Sequence, residues 1–239
     1  MFGTVLNVTG VLIGCLAGLA MRRPFSPANQ QFFKAALGAY TVWIGLKIAV
    51  TSLSGNFWQV SKQLLLLVLA LTLGRLLGRL LHVQKGMNRL GRIARQKLSD
   101  VRPDSPHRAN DGFVAATILF CAAPLAVPGC IQDGLGQTFQ PLLLKALLDS
   151  LVAMAFVLTF GWPVLLAALP MAAFQVTLTQ GAQWLEPMLR TYSLIDSVNG
   201  VCGLLIFCVA LIIFEIRRIE VGDYLPALAV APLLTWFWR

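Results

Sequence analysis

The sequence predicts an all-α integral membrane protein, and three observations carry that reading. Of its 239 residues 57% are apolar and only 12% are charged, about half the 25% of an ordinary soluble domain. The mean hydropathy is +0.75, too apolar for a chain that stays hydrated and disordered. The apolar residues also gather into stretches of about 20, the length a helix needs to cross the hydrocarbon layer.

Cutting the chain at its polar connectors gives eight candidate spans, at about 2–21, 33–53, 62–82, 111–127, 140–160, 163–181, 197–216 and 222–238. The first is an N-terminal apolar run, but Arg22 and Arg23 follow it and no charge precedes it. A signal peptide has the opposite polarity, so the segment reads as a retained span. The fourth, Gly112 to Val127, is short and runs into Pro124, Pro128 and Gly129. It reads as a broken or re-entrant segment around 121–136, which would leave seven full crossings.

The charges set an expected orientation. With eight crossings one side collects Arg22, Arg23, Lys34, Arg75, Arg79, Lys85, Arg89, Arg92, Arg95, Lys97, Arg102, Arg108, Arg217 and Arg218, and the other only Lys62, Arg190 and Arg239. Cytoplasmic loops carry such an excess of Lys and Arg, so both termini are expected outside the inner (cytoplasmic) membrane of a bacterium. The net charge of +9 then reports topology, and nucleic acid is not an expected partner.

The chain divides into a first membrane half at 1–82, a basic cytoplasmic helix and linker at 83–110, and a second half at 111–239. In the middle segment Met87, Leu90, Ile93, Ala94 and Leu98 share one helical face, and Lys85, Arg89, Arg92, Arg95 and Lys97 occupy the rest. An apolar stripe with a basic flank suits a helix lying among anionic lipid headgroups. No aromatic residue interleaves the charges to stack on bases. DVRPDSPHRAN follows as a proline-containing linker.

Gly10, Gly14 and Gly18 recur every four residues, as do Gly74 and Gly78. Bare helix faces of this kind allow close helix approach; packing within the chain is the first reading, a homo-oligomer interface the second. Spans 2 and 7 align at an offset of 165, matching Gly38 with Gly203, Leu46 with Leu211 and Gly45 with Ala210. Spans 1–3 and 6–8 would then be inverted repeats, a recurring plan of secondary transporters.

Ionisable and amide side chains inside spans are the candidate site, because burying them costs several kcal/mol unless they are paired or hydrated. Lys145 and Asp149 are four apart and can touch on one helical face, either as a structural ion pair or as a solute or proton site. Lys47 has no neighbour of opposite charge in its span; pairing with Asp133 or Asp149 across the bundle, or snorkelling to the outer interface, are the alternatives. In FCAAPLAVPGCIQDGLGQ two prolines disrupt the helix and glycines permit turns. Irregular backbone at membrane depth survives only beside protein or water, so Gln132 and Asp133 should border a cavity, with Asn7, Gln175 and Asn199 as further lining residues. Pro170, Pro226 and Pro232 are expected to kink their helices.

No G-x-S-x-G, H-E-x-x-H or P-loop occurs. His82 and His107, the only histidines, both fall at the basic loop. Neither an enzyme nor a cofactor or metal is expected. The five cysteines lie in apolar runs without CxxC spacing and read as small buried residues.

Five stretches carry a family resemblance: GTVLNVTGVLIGCLAG, ALGAYTVWIGLKIAV, GFVAATILFCAAPLAVPGCIQDGL, LLKALLDSLVAM and LPALAVAPLL. On these the chain resembles, nearly end to end, the DUF554 family of bacterial multi-spanning membrane proteins, the YqgA and YdfK type. GxIQDGL is the most specific motif and the KxxxD pair the next. The resemblance implies an inner-membrane protein with transport as the expected role, and makes Asn7, Lys47, Gln132, Asp133, Lys145 and Asp149 shared positions. It also implies a polar residue in span 7 aligned with Lys47, where this chain has Ile212.

The expected function is therefore a transporter or channel for a small, unidentified solute, its path lined by the broken span 4 and the polar face of span 5. The alternative is a membrane scaffold or lipid-interacting protein whose buried charges are structural.

Overall fold

The computed structural model describes residues 1–21, 26–99, 107–217 and 219–238. Arg22, Arg23, Arg102, Arg218 and Arg239, used above for orientation, lie outside the described residues. Within them every regular element is helical: α1 (Phe2–Ala20), α2 (Pro27–Thr51), α3 (Phe57–Leu80), α4 (Val83–Ser99), α5 (Arg108–Cys121), α6 (Ala126–Gly134), α7 (Gln140–Phe160), α8 (Ala168–Thr191) after a 3-10 turn at Trp162–Ala167, α9 (Ile195–Ile213), α10 (Val221–Tyr224) and α11 (Ala227–Phe237).

Local chemistry explains several boundaries. Ser26 accepts from the Asn29 N–H and Pro27 opens α2, where a missing amide hydrogen costs nothing. At α3 the Gln59 side chain accepts from the Asn56 N–H at 2.9 Å, half of a capping box.

Helices α1, α2, α3, α7, α9 and the run Trp162–Thr191 are each long and apolar enough to cross a membrane. Their outward faces remain apolar: Leu64, Leu65, Val68, Leu73 and Leu76 of α3 are all exposed, as are Phe57 and Trp184. A continuous greasy exterior of this extent needs lipid.

Close contacts give each helix a direction. Down α1 the glycines Gly3, Gly10, Gly14 and Gly18 meet Leu142, Ala146, Ser150 and Met154 of α7 in the same order, so these two helices run parallel. Gly38 meets Phe214 while Gly45 meets Phe207 and Gly203 meets Ala49, so α2 and α9 run antiparallel; α3 and α10–α11 do likewise through Gly74 against Ala227 and Gly78 against Asp223. Small residues on both sides let the backbones approach.

The short fourth segment is a bent pair, α5 and α6 meeting at 58°. Gly112 at its start lies on Phe160, the end of α7, whereas Gly129 lies on Leu142 near the start of α7. The pair thus runs the length of α7 in the opposite direction. Counting α5–α6 and α10–α11 as one run each, the described residues hold eight helical runs besides α4, of which six, or seven with the bent pair, are long and apolar enough to cross a membrane.

Buried apolar residues form two main cores. One holds Val11, Cys15, Ala116, Phe120, Ala153, Val157, Phe160 and Met171, from α1, α5, α7 and α8; the other holds Ile44, Ile48, Leu67, Ala70, Leu205, Ile206 and Ala231, chiefly from α2, α3, α9 and α11. Each core draws helices from both halves of the sequence. Helix α6 touches α1, α7, α8 and α9 and so bridges the two.

Two expectations need correction. Pro170 does not kink α8: it is the third residue of that helix, in the first turn, where no intrahelical bond awaits its nitrogen. Helix α8 also runs ten residues beyond the expected limit of 181, to Thr191, because the polar TQGAQWLEP stretch continues the helix past the apolar section.

A Cβ on Gly14 would approach the Ser150 carbonyl oxygen to 2.3 Å, whereas one on Gly181 would meet nothing within 4 Å. Gly14→Ala is therefore expected to destabilise the protein by about 1–3 kcal/mol through overpacking, and Gly181→Ala to be neutral or slightly stabilising. Thermal melts of both variants in detergent, followed by size-exclusion fluorescence, read the difference.

Candidate functional site: a polar cavity at the end of the broken span

The break in the fourth span creates the first polar contact. Pro124 has no N–H, so the carbonyl four residues earlier, that of Phe120, loses its helical donor. The Lys145 ammonium supplies one, at 2.9 Å from the Phe120 oxygen, and also pairs with Asp149 one turn along α7. Lys145 is 1% exposed and Asp149 6%, so the carbonyl, the ammonium and the carboxylate satisfy one another inside the bundle. Asn7 of α1 faces the Asp149 carboxylate, donates to the Met171 sulfur at 3.9 Å, and leaves its Oδ1 without a partner.

Beyond the break, α6 carries the adjacent residues Gln132 and Asp133 to the end of the bundle where α1 begins. Successive helix positions point about 100° apart, and the two side chains take different directions. Asp133 turns onto α1: its carboxylate accepts from the Gly3 and Thr4 N–H groups, both at 3.0 Å, and from the Thr4 hydroxyl at 3.1 Å. With the Thr4 proton so used, the Thr179 hydroxyl donates to Thr4 across 2.9 Å. A carboxylate at free N–H groups of a helix start is a cap, favoured by the helix dipole. Asp133 therefore joins α6, α1 and α8, and it does not line the cavity.

Gln132 turns the other way. Helix α6 ends in a Schellman motif: Gly136, at φ +65°, donates its N–H to Asp133 O and the Gln137 N–H reaches Gln132 O at 3.0 Å. The left-handed turn suits glycine and folds Gln137 back beside Gln132. Three amides then form a chain. Gln132 Nε2 donates to Asn199 Oδ1 at 2.8 Å, Asn199 Nδ2 to Gln137 Oε1 at 3.2 Å, and Gln137 Nε2 to Leu135 O at 3.1 Å.

These amides line a cavity of about 240 Å³ shared with Lys47, Ile48 and Thr51 of α2 and with Thr138, Phe139 and Gln140 at the start of α7. Lys47 finds no carboxylate within 4 Å among the described residues; its ammonium lies 4.9 Å from the centroid of the Trp43 ring, a cation–π contact. Pairing with Asp133 or Asp149 is thus not what the fold does.

The expected single site is accordingly divided. Lys47, Gln132 and Asn199 come together at the cavity; Asn7, Lys145 and Asp149 form a deeper cluster; Asp133 is a cap. Gln175 is fully buried with neither amide atom partnered, one turn from Thr179. Gln137, Thr138, Gln140 and Thr51 escaped the sequence reading, although GLGQ at 134–137 is the signature of a glycine-capped helix end with a polar residue folded back.

Of the glycines singled out, Gly10, Gly14 and Gly18 all face α7. Of the basic residues on α4, Lys85, Arg89, Arg92 and Arg95 are exposed and Lys97 pairs with Asp111 at 2.6 Å. Helix α4 is held to the bundle end by Gln84, whose N–H donates to Asp223 and whose side-chain oxygen accepts from the Gly222 N–H.

Removing Lys145 should expose how tightly its cluster is coupled. Lys145→Met leaves a buried carboxylate and a buried carbonyl unpaired and is expected to cost about 3–5 kcal/mol. Lys145→Met combined with Asp149→Leu should recover part of that loss, as read from denaturant unfolding in detergent; a double variant no more stable than the single would contradict the pairing.

Residues 2–236 match the model of a family described as a protein of unknown function (DUF554). Among curated proteins the chain is similar to the "Uncharacterized membrane protein YdfK" of Bacillus subtilis, 26% identical over 98% of this chain and 95% of the relative. It is likewise similar to the "Uncharacterized protein YqgA" of Escherichia coli, 27% identical over 99% and 97%. No solved structure matches.

Proposed function

From the premise that this chain belongs to the DUF554 family, we propose that it is an integral membrane transporter or channel for a small polar solute, entered through the cavity at Lys47, Gln132 and Asn199. One observation carries this reading: three linked amides and one lysine ammonium line a cavity of about 240 Å³ in the seam between α2, α6, α9 and the start of α7. A membrane protein that needed only stability would fill that seam with apolar side chains, because each buried polar group costs free energy unless it is bonded. The deeper unpartnered groups, Asn7 Oδ1 and both amide atoms of Gln175, suit a polar route that continues inward. The antiparallel contact of α2 with α9 fits an arrangement of inverted repeats, whose sites lie where the repeats meet.

On the same reading the protein sits in the bacterial inner membrane with the cavity facing outward. The support is charge: Lys34, Arg75, Arg79, Arg108 and the basic residues of α4 all belong to the bundle end opposite the cavity, and cytoplasmic loops collect Lys and Arg. A second role is favoured by α4 itself. Lys85, Arg89, Arg92 and Arg95 stand exposed beside Leu90, Ile93 and Leu98, a surface suited to anionic lipid headgroups.

Substituted-cysteine labelling in a background lacking the five native cysteines tests both points without knowledge of the solute. Gln137→Cys is expected to react with a membrane-impermeant thiol reagent only from the outside, Gln96→Cys only from the inside, and Gln175→Cys slowly from at least one side. A Gln175→Cys protein that stays unlabelled from both sides would sink the route, and reversed sidedness of the first two would sink the orientation.

A further inference from the structure

The amide chain has a direction, and the direction is fixed. A primary amide can be turned end for end, exchanging its donor and acceptor, but the Leu135 carbonyl can only accept. Gln137 must therefore present its nitrogen to Leu135 O and its oxygen to Asn199. Asn199 in turn offers its nitrogen to Gln137 and its oxygen to Gln132, so Gln132 donates. The one atom left over at the end of this chain is Gln132 Oε1, which has no partner although its residue is only 1% exposed.

The rest of the lining is rich in donors. Each of the three amide nitrogens carries a second hydrogen beyond the one the chain uses. Lys47 adds an ammonium without a carboxylate counter-ion, and no Asp or Glu is among the lining residues. The Thr51 hydroxyl spends its hydrogen on the Lys47 carbonyl at 2.8 Å.

We infer that the cavity recognises a small solute with a carboxylate group that also carries a hydrogen-bond donor, a hydroxy- or amino-carboxylate, its carboxylate held by Lys47 and the spare amide hydrogens and its donor by Gln132 Oε1. The inference rests on the proposed role of this cavity and names the solute class. The cavity is smaller than the roughly 300–1,000 Å³ of drug-sized ligand sites, which limits the solute to a few carbon atoms. A ligand with the anion alone leaves the already buried Gln132 oxygen without a donor. Sites built to bond a substrate hydroxyl or amine discriminate against the analogue that lacks it for this reason.

Equilibrium binding to the detergent-solubilised full chain tests the inference with four probes of similar size. Lactate and alanine carry both groups, propionate only the anion and ethylamine only the donor. Lactate or alanine is expected to bind about tenfold or more tightly than propionate and ethylamine, since an unsatisfied buried acceptor costs on the order of one decade in affinity or more. Gln132→Met should remove the preference for lactate over propionate; Lys47→Met should weaken both. If Gln132→Met does not fold, the preference in the unaltered protein still decides. Equal binding of lactate and propionate, or no binding of any of the four, overturns the inference. Because the measurement needs no flux, preferred binding of lactate or alanine without uptake into proteoliposomes would overturn transport and leave the recognition standing.

Discussion

A backbone carbonyl without a donor cannot be left alone in an apolar interior, and the rest of this structure depends on how one such group, that of Phe120, is satisfied. Pro124 removes its helical partner, and Lys145 replaces it with an ammonium at 2.9 Å. A buried ammonium needs a carboxylate, which Asp149 provides from the same face of α7. With the break stabilised in this way, the chain can bend by 58° and deliver α6 to the meeting point of four other helices. The KxxxD pair is thus a substitute for a missing hydrogen bond before it is anything else.

The bend would be useless if the surrounding helices could not close around it. Parallel packing of α1 on α7 and antiparallel packing of α2 on α9 both rely on glycines whose Cβ positions are already occupied by the neighbour's backbone. Lipid offers no hydrophobic driving force between helices, so this close approach and the contacts it permits hold the bundle together. Each glycine seam lies within a different core. The polar residues of the cavity gather instead where α6 ends, against α2, α9 and the start of α7.

Much of the architecture was legible because hydropathy in a bilayer is nearly a direct readout of helix position. The break was legible too, since two prolines and three glycines in one apolar stretch cannot continue a regular helix, and the spacing of Lys145 and Asp149 placed both on one face. What the sequence could not show was partner choice. Lys47, with two buried aspartates available in principle, instead lies over Trp43, because both carboxylates are already committed. Asp133 reads as a cavity residue by its neighbours, yet the start of α1, 129 residues away in sequence, claims it. The end of α8 was missed because its last turns are polar, and hydropathy reports the apolar layer, not the helix that leaves it.

The division of labour between Gln132 and Asp133 follows from helix geometry and decides the chemistry of the cavity. Adjacent residues on a helix cannot share a face, so committing Asp133 to the N–H groups of α1 forces Gln132 onto the opposite interface, toward Asn199. Had the register been shifted by one residue, a carboxylate would line the cavity and neutralise Lys47, leaving a site with no preference for an anion. With the negative groups withdrawn, one onto α1 and the other onto Lys145, the charge remaining at the seam is that of Lys47. The positive, donor-rich character of the cavity is therefore a consequence of how the two aspartates are spent on structure, and the single unpartnered oxygen of Gln132 is what gives that positive site a second requirement.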